Sequence, residues 1–342
     1  LMEVMRRYPD TIRFVLSGQS DKETIFRTVG AAHQFLAKPC NASILKSTVD
    51  RAFALRDLLN NQAVKEAVSQ VGTLPALPET YTRLMDELRS PDTSIGAVGT
   101  IIESDLGMTA KILQLGNSAF FGVRRQVNTA SQAVSLLGLD TIKALVLMNG
   151  VFQTKEDCRL PEHFSLDHLW RHSMTTGAFA QSISKSESAG EGTKNECLTA
   201  GLLHDSGMLL LAVGCPEQYE TAITVSAEKA LPHVEVERMV FGCSHAEVGA
   251  YLLGIWGLPD TIVEAVAFHH YPSRCPAAGF GALAAVHAAD VFAFELDGED
   301  TTVPLPSLDT SFIQSLDRSE RIAPWRDICQ TFSRKQSEAS DG

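Results

Sequence analysis

Seven side chains in the second half of the chain could do metal chemistry together: His172, the adjacent pair His204 and Asp205, His245, the adjacent pair His269 and His270, and Asp290. They fall in segments that read as separate amphipathic helices of one bundle. Imidazoles and carboxylates converging from several helices are a common way to build a hydrolytic metal site in a bundle core. A lone buried histidine is usually a satisfied core residue, and a His-Asp pair can serve packing alone. A group of seven is different, because each buried polar group left unpaired costs a few kcal/mol, roughly 1–3. One or two divalent ions would satisfy the whole group at once.

The elements that must carry these residues can be read from periodicity. Over 1–61 the pattern is helix, strand, helix, strand, helix. Ile12 to Ser17 form a β-branched and aromatic run ending at Gly18, 33–37 read as a second buried strand, and Asn41 can cap a helix running to Leu59. Strands alternating with helices indicate a parallel α/β sheet, and two strands are too few to complete one. After Gln62 no strand is expected. The two-proline break at 72–78 is followed by helical patterns at 79–88, 95–103, 107–115, 129–137, 140–152, 165–184, 197–213, 216–230, 233–241, 245–256, 261–270 and 280–296. The segment from 297 onward is acidic and rich in Ser, Asp and Pro, and is expected to be a partly flexible tail. The expected division is therefore 1–63, 64–296 and 297–342.

Bulk properties narrow the function. With 342 residues, 44% hydrophobic and 20% charged, the chain suits two folded domains. Forty-one acidic against twenty-nine basic residues leave a formal charge of −12. That field repels nucleic acid and anionic membrane surfaces, so neither is expected as a direct partner. Seven unpaired-looking cysteines without a C-x-x-C suit a reducing cytoplasm. The apolar stretches around His204 and Asp290 are interrupted by those residues, so no spanning helix is expected.

Two resemblances sharpen this reading. Val15-Leu16-Ser17-Gly18 and His33-Gln34-Phe35-Leu36-Ala37-Lys38-Pro39 resemble the C-terminal half of a response-regulator receiver domain. The resemblance implies a flavodoxin-like α/β fold lacking its N-terminal half, with Ser17 and Lys38 contacting an aspartyl phosphate and Phe35 changing rotamer. It also implies a cis Lys38-Pro39 bond, magnesium for the intact receiver and a sensor histidine kinase as partner. The phosphoacceptor aspartate would lie upstream of Leu1. Ser17, Phe35 and Lys38 taken singly are an ordinary hydroxyl, core aromatic and surface amine; their joint place at two strand ends is what draws attention.

From about Val64 to Leu296 the chain resembles the HDOD family, an HD-related all-α output domain found fused to receivers. The phrases that carry this are Leu74-Pro75-Ala76-Leu77-Pro78, the run 104–113, Asn117-Ser118-Ala119-Phe120-Phe121-Gly122, Leu169-Trp170-Arg171-His172-Ser173, Gly201 to Gly207, 245–253 and His269-His270-Tyr271-Pro272. By resemblance to HD phosphohydrolases, His172, His204, Asp205 and Asp290 map onto a minimal ligand set. His245, His269 and His270 map onto the additional ligands of two-metal relatives, with Fe, Mn, Zn or Ni as the suited ions. The phosphate-handling lysine of active HD proteins is replaced by Met208, and His168 stands where a glutamate would precede the first histidine. The resemblance thus implies an output domain working through protein contacts with an unidentified downstream protein, with a homodimer compatible. The alternative is a phosphohydrolase acting on a nucleotide or cyclic dinucleotide through His204 and Asp205. His33, His163, His168, His233 and His287 are expected on the surface or in local networks. The three tryptophans are expected in the core, and Gly122, Gly207 and Gly257 at helix ends.

Overall fold

The computed structural model describes residues 61–71, 79–88, 93–116, 127–152, 160–275, 279–297 and 304–340, two strands at 14–17 and 34–37, and single helical positions around those strands. The strands β1 (Phe14–Ser17) and β2 (Gln34–Ala37) pair in parallel, with Val15 opposite Phe35 and Ser17 opposite Ala37. Lys38 lies outside the described residues, as do Pro39, Gly122 and most of the helix expected at 41–59.

All regular elements described after Asn61 are helices. The helix α1 (Gln62–Val71) buries Val64 and Ala67. A small core follows, built by α2 (Glu79–Glu87), α3 (Ile95–Glu103), α4 (Leu106–Gly116) and α5 (Ala130–Leu137) around Leu84, Ile102, Met108 and Ile112. Serine and threonine caps start these helices where the sequence places them: Ser94 accepts from the Ala97 N–H and Thr129 from the Gln132 N–H. The helix α6 (Leu139–Phe152) is apolar on both sides. Ile142 and Val146 enter the small core, while Leu145 and Met148 enter the large one, so α6 joins the two.

The large core is the bundle that holds the site. Its members are α7 (Leu166–Ser186), α8 (Glu191–Leu203), α9 (Ser206–Gly214), α10 (Pro216–Lys229), α11 (His233–Phe241), α12 (His245–Ile255), α13 (Asp260–Phe268) and α14 (Ala282–Asp297). The apolar stretch Glu191–Gly214 has the length and composition of a membrane span, yet 83% of its most apolar window is buried inside the protein. It is the bundle's central helix pair.

Three expectations need correction. The run 197–213 is two helices, α8 and α9, broken at His204 and Asp205. Gly207 does not end a helix; it sits in the first turn of α9, where a Cβ would lie 1.9 Å from the His245 carbonyl oxygen and 2.7 Å from the Gly249 nitrogen. Only a hydrogen side chain lets α9 and α12 approach this closely. Finally, 304–340 is not a flexible tail. It forms α15 (Thr310–Ser315) and α16 (Ile322–Ser340), with Phe312, Ile313 and Trp325 buried in the large core. Its acidic and polar residues occupy the outer face, which is why composition alone suggested solvent.

Candidate metal centre

All seven expected residues meet at one place, five of them because helices begin or end there. His172 lies within α7, one turn before Thr176, and Asp290 lies in the middle of α14. His204 and Asp205 are the turn between α8 and α9, His245 is the first residue of α12, and His269 and His270 follow the last turn of α13. The start of α12 is set by a capping box: the Glu247 carboxylate accepts from the Ser244 N–H, while the Ser244 side chain caps the first turn. Helix ends free side chains from the lateral packing that fills the middle of a bundle, so polar groups collect there at little cost to the core.

The two aspartates bridge the cluster. Asp205 Oδ2 lies 3.1 Å from His204 Nε2 and 3.7 Å from His172 Nε2, while its Oδ1 lies 3.2 Å from His245 Nε2 and 3.6 Å from His269 Nε2. Asp290 Oδ1 lies 3.0 Å from His172 Nε2 and 3.5 Å from His204 Nε2, and its Oδ2 lies 3.9 Å from His270 Nδ1. The donors form two adjacent sets, His172, His204 and Asp290 in one and Asp205, His245, His269 and His270 in the other, each with its ligand atoms within 4.8 Å of one another.

A second ring of contacts orients the imidazoles. Nδ1 of His204 donates to the Gly201 carbonyl, and Nδ1 of His269 to the Val266 carbonyl, each at 2.8 Å. Nδ1 of His245 faces Glu237 Oε2 at 2.6 Å, and the same oxygen accepts the His245 N–H at 2.8 Å. In all three rings Nδ1 is engaged on the outer side and Nε2 is turned inward, the orientation that ligating histidines need once Nε2 gives up its proton. Yet His204 Nε2, His269 Nε2 and Asp290 Oδ2 are buried without a hydrogen-bond partner among the described residues. These two Nε2 atoms lie close to carboxylate oxygens without making hydrogen bonds to them. The residues therefore fit divalent ions held by nitrogen and oxygen donors.

Charge in the cluster is uneven. Burial alone would lower His204 and His245, but carboxylates outweigh it and push both up to about 10: Asp205 and Asp290 for His204, Glu237 and Asp205 for His245. Burial, with smaller contributions from the neighbouring His270 and His204, holds His269 well below its ordinary value, and burial with His245 brings His270 down to about 4. Against the cost of burial, the histidines hold Asp205 and Asp290 well below the usual carboxylate range. Both aspartates are thus anionic and ready for a cation.

Several residues near the centre were not singled out by sequence. Glu237 is fully buried, and His233 Nε2 lies 3.3 Å from its Oε1. His287 is also buried: its Nδ1 donates to the His269 carbonyl at 2.6 Å and its Nε2 accepts the Asp309 N–H at 2.8 Å. It ties the double-histidine turn to the cap of α15. No spacing rule would reveal Glu237, since the turn between α11 and α12 is what brings it to His245. His168 is half-buried, 3.8 Å from Asp297 Oδ2, and His163 pairs with Glu220 at the surface. Arg171 is exposed.

A cavity of about 400 Å³ opens over Asp205, His245, His269, His270 and Asp290. Its walls are Met208, Val234, Val291, Phe294, Leu305 and the prolines around them, and its described lining contains no lysine or arginine.

Residues 74–272 match the HDOD domain family. The chain belongs to that family. An HDOD domain of unknown function from Geobacter sulfurreducens has the same fold, with a TM-score of 0.63 at 22% identity over 85% of this chain and 97% of that one. A protein from Shewanella amazonensis SB2B, provisionally named a phosphohydrolase, reaches a TM-score of 0.57 at 23% identity, covering 81% of this chain and 99% of that one. An uncharacterized protein of Treponema pallidum (strain Nichols) is 25% identical over 302 residues, 85% of this chain and 56% of the relative. The chain thus spans about half the length of that curated relative. The HDOD match takes in every member of the cluster except Asp290.

Proposed function

We propose that the chain is a signalling protein whose HDOD domain binds a pair of divalent transition-metal ions and acts through protein contacts, not through phosphate hydrolysis. One observation carries this: two sets of buried nitrogen and oxygen donors share Asp205 beneath a cavity with no lysine or arginine in its described lining. His172, His204, Asp290 and one Asp205 oxygen would hold one ion; the other Asp205 oxygen, His245, His269 and His270 would hold its neighbour. Bound there, such ions act as Lewis acids and lower the pKa of water. The chain's own residues supply the ligands, their orientation and a dry wall, but no cation to receive a phosphate group, because Met208 carries no charge or donor.

Upstream, the parallel pairing of β1 and β2 supports reading 1–63 as part of a receiver domain, with Ser17, Phe35 and Lys38 as its phosphate switch. A sensor histidine kinase would then be the input and a downstream signalling protein the output, in the cytoplasm. The mechanical link would be α1, which packs on α9 and α12, the helices that follow Asp205 and begin at His245. Movement of α1 would reach the centre through two rigid elements.

Openness of the cavity toward Asp205 and His245 favours one rival, a phosphohydrolase, and a name of that kind is borne by the Shewanella protein. Elemental analysis of protein purified without added metal, run with a hydrolysis screen on bis(p-nitrophenyl) phosphate and cyclic dinucleotides, separates the two. We expect divalent metal bound to the chain and no turnover above that of His204→Ala. Turnover abolished by His204→Ala would establish the rival.

A further inference from the structure

The cavity over the metal centre has a sharp division of character. At its floor stand Asp205, His245, His269, His270 and Asp290, while its walls are the thioether of Met208, the ring of Phe294 and the aliphatic side chains of Val234, Val291 and Leu305. At the mouth, the third acidic side chain of the described lining, Glu235, accepts from the Tyr271 hydroxyl, and the Arg238 guanidinium sits 4.7 Å over the Tyr271 ring. A molecule filling this space must place a metal-coordinating head at the floor and an apolar body against the walls.

Formal charge limits the head group. Three buried carboxylates surround the donors: Asp205, Asp290 and Glu237, the last held against His245. Two divalent ions opposed by these three anions leave one positive charge uncompensated. A monoanion neutralises it, whereas a nucleotide phosphate brings further charge that the apolar walls would have to desolvate without a partner.

We propose that the HDOD cavity binds an amphiphilic monocarboxylate, a medium-length acyl chain whose carboxylate sits on the metal pair and whose tail lies along Met208, Val291, Phe294 and Leu305. This rests on the metal reading given above. The cavity volume falls within the range of small-molecule sites, about 300–1,000 Å³, at the end that suits a slender ligand. Leu305, 47% exposed at the mouth, continues the apolar wall of Met208, Val291 and Phe294 outward.

The test is calorimetric titration of the full metal-loaded chain with sodium decanoate, with decylamine and AMP as competitors. Decanoate should bind, neither competitor should displace it, and stripping the metal should weaken it about tenfold or more. Leu305→Glu, a substitution at an exposed site, should weaken decanoate about fivefold while metal content stays unchanged. The proposal fails if AMP displaces decanoate or binds more tightly. It fails also if stripped protein or Leu305→Glu binds decanoate as well as the loaded wild type, or if loaded protein does not bind it at all. That last result leaves the metal reading intact. Protein that takes up no metal overturns both, and elemental analysis of the titrated sample tells the two failures apart.

Discussion

At the level of single residues, the centre depends on protons as much as on position. His204 and His245 hold protons at neutral pH because adjacent carboxylates raise them to about 10, yet a metal ligand must be neutral. Metal uptake at pH 7 must therefore expel protons, and affinity must fall as the solution is acidified. Titrating metal-stripped protein in two buffers of different ionisation enthalpy should show proton release; buffer-independent heats would contradict the assignment. Glu237 acts one step further out. It fixes the His245 ring through Nδ1, so Glu237→Gln should weaken metal binding by about 10–100-fold, the usual cost of losing a ligand's orienting partner, with circular dichroism unchanged. Equal affinity would make Glu237 a packing residue only.

Among the elements, close helix approach is what brings ligands together. Gly207 and Gly249 let α9 and α12 touch backbone to backbone, and that contact sets the distance between Asp205 and His245. In Gly207→Ala the new methyl meets the His245 carbonyl, which cannot move without shifting a ligand. The substitution should cost about 2–3 kcal/mol by overpacking, read from urea denaturation, and should lower metal occupancy as well. An unchanged denaturation midpoint would show that the two helices have slack. Helix identity was legible from the 3.6-residue apolar period, and caps such as Ser94, Thr129 and Ser165 lie where periodicity begins. The break at His204 and Asp205 was not legible, since Leu, Ala and Gly flank it on both sides and favour neither continuation nor a stop.

For the molecule as a whole, the C-terminal segment is a structural member of the bundle. Trp325 is fully buried and donates from Nε1 to Glu187 Oε1 at 3.0 Å, and Glu187 also holds Arg318 and Arg321. Trp325→Ala should cost about 3–5 kcal/mol in the same denaturation assay. Burial would raise the Glu187 carboxyl, but Arg321, Trp325 and Arg318 together hold it below its usual 4.5. A depressed carboxylate stabilises the fold above its unfolded value and loses that contribution as pH falls through its folded one. The denaturation midpoint of Glu187→Gln should therefore trail the wild type at pH 7 and converge with it on acidification below about 4.5. A gap that persists in acid would mean that shape, not charge, makes the tie.

By itself the sequence determined the inventory of candidate donors and the helices bearing them, because residue type dictates metal affinity and apolar periodicity dictates which face is buried. It also showed an uncharged Met208 where the resembled HD proteins carry a lysine. Only the tertiary structure decided that Asp205 serves both donor sets, that Glu237 and His287 stand behind the ligands, and that 304–340 closes the bundle. Those facts depend on distances between segments far apart along the chain. Such distances are set by how closely backbones pack, a property of facing surfaces that no single stretch of sequence contains.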